Sequence, residues 1–333
     1  MTHAIEDVTD WVEQEDEQLG SKSKAWLAAP DGERWLFKHP RPNTGEHWAE
    51  LVAADIAETI GIPHAYVRLA RRGASLGTVS RDFTARLLKD CTLLHGNQLL
   101  ATTVIGYEPD AQKPPHHTVD AVLDYLARGD IAVPAGMVHL DGVMSAADAF
   151  VGFLLLDAMI GNTDRHHENW GLLQITWQDQ VAGSQAMLAG ANVAQAFHRR
   201  AMELAPTYDH ASSLGRDLTD EARLQRLSGR DPRVTVEHYC ARGRTPLYGA
   251  RQDPTSGTWS ESKQLTFREA FLRACDLSPR ASSVWLRHLA SLPAGGLQAL
   301  VDRIPISVAS EAQRVFAKSV LACNLAFLST LPR

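Results

Sequence analysis

The chain has 333 residues, a formal net charge of -6 and 44% apolar residues, which is typical of a folded protein with a substantial core. The mildly acidic balance, with no dominant lysine or arginine cluster, argues against direct nucleic-acid binding. The apolar runs are too short to span a membrane, and the first residues lack a signal-peptide pattern. The four cysteines form no CxxC pair, as in many proteins of a reducing compartment. We therefore expect a cytoplasmic protein.

The first 85 residues alternate between strand patterns and one helix pattern. Seven acidic residues and no lysine or arginine occupy the first 20 positions, where we expect a solvated helix face or a frayed tail. KAWLAAPDGERWLFK has two apolar runs around a Pro-Asp-Gly turn, which predicts a β-hairpin. Apolar residues at helical spacing in TGEHWAELVAADIAETIGI predict a helix that ends at Gly61. AYVRLARRGASLGTVSRDF predicts two further strands joined near Gly73.

The rest of the chain is richer in helix patterns. DAVLDYLARGD and AADAFVGFLLLDAMIG have helical periodicity, and Ser145 is a candidate N-cap for the second. Strand patterns follow at GLLQITW and AQAFHRRAMELAPTYDH, and the chain from Thr266 onward is helical. These patterns predict an α+β protein with two lobes. Residues 1–85 would form a small β-rich N-lobe with one helix, and residues 86–333 a larger, mostly α-helical C-lobe.

The densest polar stretch is GNTDRHHENWG, which lies between an apolar helix pattern and an apolar strand pattern. Asp164 and Asn169 offer the oxygen ligands that Mg²⁺ prefers, and a carboxylate there could orient the proton of an attacking hydroxyl. Asp209 follows another apolar segment in LAPTYDHASSLG. Phosphoryl transfer needs such a set of side chains. A hydrogen-bonded turn and a binuclear metallohydrolase loop are the alternatives.

Phosphoryl transfer also needs a strand lysine, paired with a helix glutamate, to hold the nucleotide phosphates. Lys38 ends the strand pattern RWLFK, and the next helix pattern has Glu46 and Glu50 four positions apart on one face. Glu50 lies deeper in the apolar part of the helix and is the better candidate. Glu46 could be a first-turn charge favoured by the helix dipole. Upstream, LGSKSKAW predicts a turn whose backbone N–H groups could cradle phosphates.

These segments resemble those of the HipA-like serine/threonine kinases. GNTDRHHENWG is similar to the family's catalytic loop, APTYDH to its metal-binding segment and GSKSKAW to its phosphate loop. WLFK with WAELVAADIAETIGI resembles its lysine and glutamate pair, and VSRDF resembles the segment that links the two lobes. The matches follow the family order. The D-R-H-x-x-N core also occurs in phosphoinositide-type lipid kinases, so it indicates the kinase superfamily more firmly than the substrate.

The resemblance implies a bilobal, protein-kinase-like fold that uses ATP and Mg²⁺. It implies that Asp164 is the catalytic base, that Lys38 contacts the α/β-phosphates and that Glu50 orients Lys38. Asn169 and Asp209 would be the Mg²⁺ ligands, and a structural His166 would brace the loop. The remaining ATP contacts would come from the phosphate loop and from the lobe linker, through Gly20, Ser21, Lys22, Ser23, Val79, Ser80 and Arg81.

The resemblance also suggests a biological setting. The phosphate loop begins near residue 20, so the chain resembles a short form without the family's extra N-terminal subdomain. In related toxins a serine in or near this loop is autophosphorylated, and Ser21 and Ser23 are the candidates here. A toxin of this type would phosphorylate a protein substrate and be held by a helix-turn-helix antitoxin. The alternatives are a small-molecule or lipid kinase and a non-catalytic nucleotide-binding module.

Overall fold

A computed structural model of the protein describes residues 2–16, 24–85, 90–178, 198–249 and 263–333. The N-terminal part forms a six-stranded sheet with the strand order β1-β5-β6-β4-β3-β2. Its strands are β1 (Ile5–Asp7), β2 (Val12–Asp16), β3 (Lys24–Ala28), β4 (Arg34–Lys38), β5 (Val67–Arg72) and β6 (Ser75–Arg81). β1 and β5 are parallel, and the other neighbouring strands are antiparallel.

The acidic N-terminus belongs to this sheet, so the expectation of a helix face or a frayed tail is wrong. β1 pairs with β5 and β2 pairs with β3, while Val8 between them is fully buried. The carboxylate of Glu6 forms an ion pair with Arg68, and that of Glu13 forms one with Arg72. Two of the acidic residues therefore pair with arginines of β5, which offset part of the charge that suggested a solvated segment.

Helix α1 (Glu46–Thr59) follows β4 and is buried on two sides. Leu51 packs in a cluster with residues of β5, whereas Trp48, Val52 and Ile56 belong to the main core together with the central helix of the C-terminal region. The spacing of these three residues places them along one helix face. Helix α1 consequently connects the N-terminal sheet to the helical part of the molecule.

The remainder of the described chain is mostly helical. Its helices are α2 (Gly96–Ala101), α3 (Val119–Leu126), α4 (Ala146–Ile160), α5 (Asp220–Ser228), α6 (Val236–Arg242), α7 (Phe267–Leu277), α8 (Pro279–Ser291), α9 (Gly296–Ala299), a 3-10 turn (Leu300–Arg303) and α10 (Glu311–Ser329). A four-stranded sheet has the order β7-β9-β10-β8, and β11 pairs with β12. These strands are β7 (Asp90–His95), β8 (Ile131–Ala132), β9 (Gly171–Gln178), β10 (His198–Leu204), β11 (Arg244–Gly249) and β12 (Lys263–Thr266).

Helix α4 is the centre of this region and leads directly into the polar stretch. Ser145 is its N-cap, as predicted, and the Ser145 side chain accepts a hydrogen bond from the backbone N–H of Asp148. Every residue of the helix except Asp148 is buried, as expected for a helix that is apolar on all sides. Gly161 follows with a φ of 66°, a left-handed conformation that glycine adopts without strain. The polar stretch therefore starts from a rigid, buried element.

The architecture is α+β, with a β-rich N-terminal region containing one described helix and a mostly helical C-terminal region. This agrees with the predicted fold class. The predicted boundary between residues 85 and 86 adjoins residues 86–89, which lie outside the described residues. In the described ranges, none of the helices has the length and apolar character needed to cross a membrane.

Candidate functional site

A cavity of about 430 Å³ lies where the N-terminal sheet faces the loop after α4. Strands β3, β4 and β6 supply one part of its wall, and residues of the 164–169 loop and of the segment after β10 supply the other. Seven of its lining residues matter for the chemistry below: Lys24, Lys38, Ser80, Arg81, Asp164, Asn169 and Asp209. Residues separated by up to 185 positions in the sequence therefore meet at one cleft.

Lys38 lines this cleft and forms a buried ion pair with Glu50. Lys38 is the last residue of β4, and its Nζ lies 2.5 Å from Oε1 of Glu50 on α1. The hydroxyl of Thr78 on β6 donates to the other oxygen of Glu50 at 3.3 Å. Both charged side chains are buried, so the pair fixes the position of the ammonium relative to the sheet. The structure brings together the lysine and the glutamate that the sequence singled out.

Asp209 extends this pair into a network. One oxygen of Asp209 lies 3.5 Å from Nζ of Lys38, and the other lies 3.8 Å from Nζ of Lys24. Burial alone would lower the pKa of Lys38, but the carboxylates of Asp209 and Glu50 outweigh it and raise that pKa above its ordinary value. Lys38 therefore keeps its positive charge in the cleft at neutral pH.

Asp164 and Asn169 converge within the loop that follows α4. The Asn169 side-chain nitrogen donates to the backbone carbonyl of Asp164 at 2.6 Å, and the backbone N–H of Asp164 donates to Oδ1 of Asn162 at 3.0 Å. Since the nitrogen of Asn169 is used in this way, its Oδ1 is the atom that can accept or coordinate. The hydroxyl of Ser212 donates to Oδ2 of Asp164 at 3.2 Å. Loop contacts thus orient both polar side chains that face the cleft.

His166 holds the turn of this loop. Its backbone N–H donates to the carbonyl of Asp164 at 2.8 Å, and its ring Nδ1 accepts from the backbone N–H of Glu168 at 3.1 Å. The neighbouring His167 points elsewhere, with its Nδ1 lying 2.8 Å from the hydroxyl of Tyr107. The two adjacent histidines therefore do not face one point.

The segment that contains Asp209 lies alongside the loop. The backbone N–H of Thr163 donates to the carbonyl of Ser212 at 3.0 Å. Asp209 itself has a φ of 56°, a left-handed conformation that is uncommon for residues other than glycine and often occurs at functional sites. This backbone geometry and the contacts of Ser212 bring Asp209 to the cleft beside a loop some 40 residues earlier in the chain.

A buried arginine, which sequence reasoning left without a role, joins the three elements of the site. Nε and Nη2 of Arg165 each lie 2.7 Å from an oxygen of Asp157 near the end of α4. Its Nη1 donates to the carbonyl of Asn169 at 2.7 Å, and its Nη2 donates to Nε2 of His210 at 3.2 Å. The sequence did contain one indication of this role. Asp157 lies within the otherwise apolar pattern of α4, and a buried carboxylate needs a charged or hydrogen-bonding partner.

Two buried histidines beneath this loop are neutral. Burial lowers the pKa of His210 well below its ordinary value, and the charge of Arg165 lowers it further. Burial also lowers the pKa of His117, to about 3. Nε2 of His117 accepts from the Trp170 indole at 3.1 Å, and its Nδ1 donates to the carbonyl of Pro246 at 2.8 Å. These rings serve as fixed hydrogen-bonding groups that support the loop.

The donors present suit a hard cation better than a transition metal. Within the described ranges, no three His, Cys, Asp or Glu side chains are grouped so that they could hold a metal ion. This gives no support to the binuclear metallohydrolase alternative. Mg²⁺ commonly takes one or two protein oxygens and completes its shell with water and substrate phosphates. Oδ1 of Asn169 and the carboxylate of Asp209, both in the cleft wall, fit that requirement.

The predicted ATP contacts at Val79, Ser80 and Arg81 divide into two groups. Ser80 and Arg81 line the cleft, whereas the Val79 side chain is fully buried inside the sheet. The backbone N–H of Arg81 donates to the carbonyl of Tyr66 at 2.9 Å. This N–H is therefore engaged within the molecule, and ATP would have to meet other groups of Ser80 and Arg81. The predicted phosphate-loop contacts at Gly20, Ser21, Lys22 and Ser23 lie outside the described residues.

The comparisons with known proteins bear on the fold. No protein-family model and no curated protein matches the sequence. The chain is similar in structure to the Helicobacter pylori proinflammatory kinase CtkA, with a TM-score of 0.65 and 17% sequence identity over 99% of this chain and 100% of that one. It also aligns with a chain of the toxin–antitoxin complex of HipA, HipB and operator DNA from Shewanella oneidensis MR-1, with a TM-score of 0.46 and 12% identity over 96% of this chain and 66% of that one.

The similarity to CtkA establishes the class of fold. It extends over the whole length of both chains, so the β-rich and helical regions correspond together and not as separate pieces. The protein therefore has the kinase-like fold that the sequence predicted. This result agrees, at the level of the fold, with the resemblance to the HipA-like kinases.

Proposed function

We propose that this protein is an ATP- and Mg²⁺-dependent phosphotransferase, and specifically a HipA-like serine/threonine protein kinase with an N-lobe at 1–85 and a C-lobe at 86–333. One observation carries the proposal. A single cleft in a kinase-like fold is lined by Lys38, Asp164, Asn169 and Asp209, and Lys38 is paired with Glu50. Phosphoryl transfer uses this combination of positioning groups and fixed charges.

Lys38 binds and orients the nucleotide in this proposal. Its raised pKa keeps the side chain an ammonium ion, which can contact the α- and β-phosphates of ATP. The salt bridge to Glu50 fixes the direction of the side chain, because both partners are buried. Asn169 and Asp209 would hold Mg²⁺, which supplies positive charge to the phosphate oxygens when it is bound.

Asp164 receives the proton of the acceptor. Its Oδ2 accepts a hydrogen bond from Ser212, which leaves Oδ1 to orient the acceptor hydroxyl. The hydroxyl oxygen forms a bond to the γ-phosphorus of ATP as the bond from that phosphorus to the β,γ-bridging oxygen breaks. ADP leaves with that bridging oxygen, and the hydroxyl proton passes to Asp164. The other residues of the loop keep Asp164 in place.

The choice of a protein as acceptor rests on the sequence resemblance. The same residues would serve a small-molecule or lipid kinase, which is the second candidate. Incubating the protein with labelled ATP and either cell-lysate proteins or extracted metabolites and lipids separates the two. We expect label in the protein fraction. Label confined to the metabolites and lipids would refute the protein-kinase assignment and leave phosphotransfer standing.

Two regulatory proposals follow from the resemblance alone. Ser21 or Ser23 would be autophosphorylated, and a helix-turn-helix protein would bind the kinase as an antitoxin. Mass spectrometry after incubation with ATP tests the first proposal, which fails if neither serine carries phosphate. A small helix-turn-helix reading frame beside this one, followed by co-purification of the two proteins, tests the second. A non-catalytic nucleotide-binding module would bind ATP without phosphorylating itself or any substrate.

A further inference from the structure

Glu46 is a buried carboxylate to which the phosphotransfer chemistry assigns no role. It is the first residue of α1, one helical turn before Glu50, and only 3% of its surface is exposed. It accepts hydrogen bonds from the backbone N–H of Arg41 at 2.9 Å and from Nη1 of Arg41 at 3.0 Å. A guanidinium N–H of Arg216 also donates to the same carboxylate. A first-turn charge that only interacts with the helix dipole needs no such hydrogen-bond partners. The contacts of Glu46 with two arginines therefore indicate a further role.

The two arginines come from different parts of the site. Arg41 follows Lys38 by three residues and lines the cleft. Arg216 lies at the end of the segment that begins with Asp209, just before α5. The backbone N–H of Gly45 also donates to the carbonyl of Arg216 at 3.0 Å. The start of α1 is thus attached to the Asp209 segment by a charged contact and by a backbone hydrogen bond.

Helix α5 supports the same junction from the other side. Nη2 of Arg223 donates to the carbonyl of Gly215 at 2.8 Å and to that of Arg216 at 3.3 Å, and Arg223 is itself buried. Removing one partner of a buried charged pair is much more costly than removing an exposed one. The network of Glu46, Arg41 and Arg216 therefore favours one position of α1 relative to the Asp209 segment.

The hydroxyl groups of that segment are already occupied. Between Asp209 and Arg216 the only hydroxyl side chains are those of Ser212 and Ser213, and both are buried. Ser212 donates to Asp164 at 3.2 Å, and Ser213 donates to the carbonyl of His210 at 2.8 Å. Neither serine presents an accessible oxygen for modification in this conformation.

We infer that Glu46 is a positioning residue whose carboxylate, bound by Arg216 and Arg41, holds α1 and the Asp209 segment in the arrangement needed for phosphotransfer without phosphorylation of that segment. Many protein kinases obtain the corresponding placement of their helix when a phosphate on the activation loop pairs with arginine. Here the negative charge is part of α1 itself. This inference rests on the proposed phosphotransferase function, because it concerns the positions of Lys38, Glu50 and Asp209.

Glu46→Gln tests the inference, since it removes the charge and keeps the shape of the side chain. We expect kcat to fall by about 10- to 100-fold through misplacement of the reacting groups, and the dissociation constant for ATP to change by less than about threefold. Glu58→Gln is the matched control on the same helix, where the side chain is 80% exposed, and it should retain wild-type kcat. Thermal unfolding of each variant checks that the fold is intact.

Arg216 provides an independent arm of the experiment. Arg216→Gln should reduce kcat as much as Glu46→Gln does, and Arg216→Lys should recover part of that loss because it restores the charge. The double variant Glu46→Gln with Arg216→Gln should lose little more than Glu46→Gln alone, since both substitutions weaken the contact between Glu46 and Arg216. If Glu46→Gln does not fold, Arg216→Gln and Arg216→Lys still test the positioning role, with Glu58→Gln as their control.

Wild-type kcat in a folded Glu46→Gln or Arg216→Gln variant would overturn the inference. So would phosphate on Ser212 or Ser213 of the active enzyme, if mass spectrometry detects it and removing it abolishes activity. An Asp164→Asn variant, measured in parallel, separates this failure from failure of the proposed function. If Asp164→Asn is inactive while Glu46→Gln is fully active, only the positioning role of Glu46 is lost.

Discussion

Removing one partner of the buried pair of Asp157 and Arg165 should destabilise the protein more than removing one partner of an exposed ion pair. Asp157→Asn removes one negative charge with almost no change in shape. Arg165, which is fully buried, would then lack a carboxylate for two contacts that now measure 2.7 Å. Its contact with the carbonyl of Asn169 would remain. The substitution therefore leaves an unpaired charge at the junction of α4, the loop and the Asp209 segment.

The size of the effect follows from the cost of an unpaired buried charge. Breaking such a pair by removing one partner lowers the free energy of unfolding by about 3–5 kcal/mol. For a chain of this length each kcal/mol corresponds to about 1.4 °C in Tm, so we expect Tm to fall by about 4–7 °C. Asp302→Asn is a suitable comparison because its side chain is 60% exposed and pairs with Lys318. That substitution should cost about 1 kcal/mol or less.

Thermal and urea unfolding of the purified variants measure this difference. The loop contact predicts a second effect, because displacement of Arg165 would move the backbone at Asn169 and weaken metal-dependent ATP binding. Isothermal titration with ATP and Mg²⁺ reports that change. A Tm for Asp157→Asn equal to that of Asp302→Asn would refute the reasoning, since it would mean that the buried guanidinium does not depend on its carboxylate.

Three further outcomes are expected. The pKa of His117 is about 3 in the folded protein, against an ordinary value of 6.5. As pH falls, the unfolded chain therefore binds a proton at His117 before the folded protein does. Between pH 6 and 4 this difference lowers the free energy of unfolding by about 1.4 kcal/mol per pH unit. Urea unfolding measured across that range gives the free energy of unfolding at each pH. This free energy should fall less steeply with decreasing pH in a folded His117→Gln variant, and equal pH slopes would contradict the low pKa of His117. Gly77→Ala should destabilise the protein and weaken ATP binding, because an added Cβ would lie 2.3 Å from the carbonyl oxygen of Lys38. Gly129→Ala is the control, since an added Cβ there would meet no atom within 4 Å, and it should behave like wild type in both assays. Asp209→Asn should raise the Mg²⁺ concentration required for half-maximal phosphotransfer, and an unchanged requirement would exclude Asp209 as a ligand.

Local patterns were sufficient for elements whose signals lie within a few residues. The turn at Pro30-Asp31-Gly32 and the two runs around it appear as β3 and β4, and the apolar spacing after residue 44 appears as α1. Ser145 caps α4 because a capping interaction involves neighbours three residues apart. The pairing of Lys38 with Glu50 also involves adjacent elements, 12 residues apart, so the strand and helix patterns were enough to suggest it.

Contacts between distant segments could not be predicted in the same way. The acidic N-terminus looked like a solvated segment because Arg68 and Arg72, its partners, follow it by about 60 residues. The role of Arg165 depends on contacts in three elements, and no short pattern specifies them. Glu46 illustrates the same difficulty. The sequence suggested only a first-turn charge favoured by the dipole of its own helix, because its partner Arg216 lies 170 residues away. Tertiary packing, and not local preference, determines these interactions.

Transfer of labelled γ-phosphate by wild type and by Asp164→Asn, with ATP binding measured on the same preparations, is the most direct test of the proposed chemistry. Asp164 lines the cleft and accepts a hydrogen bond from Ser212, whereas Lys38 pairs with Glu50 and Asp209. We expect the variant to bind ATP as wild type does and to transfer phosphate at least about a hundredfold more slowly. Equal rates of transfer in the two proteins would contradict the role of Asp164 and, with it, the catalytic assignment of this cleft.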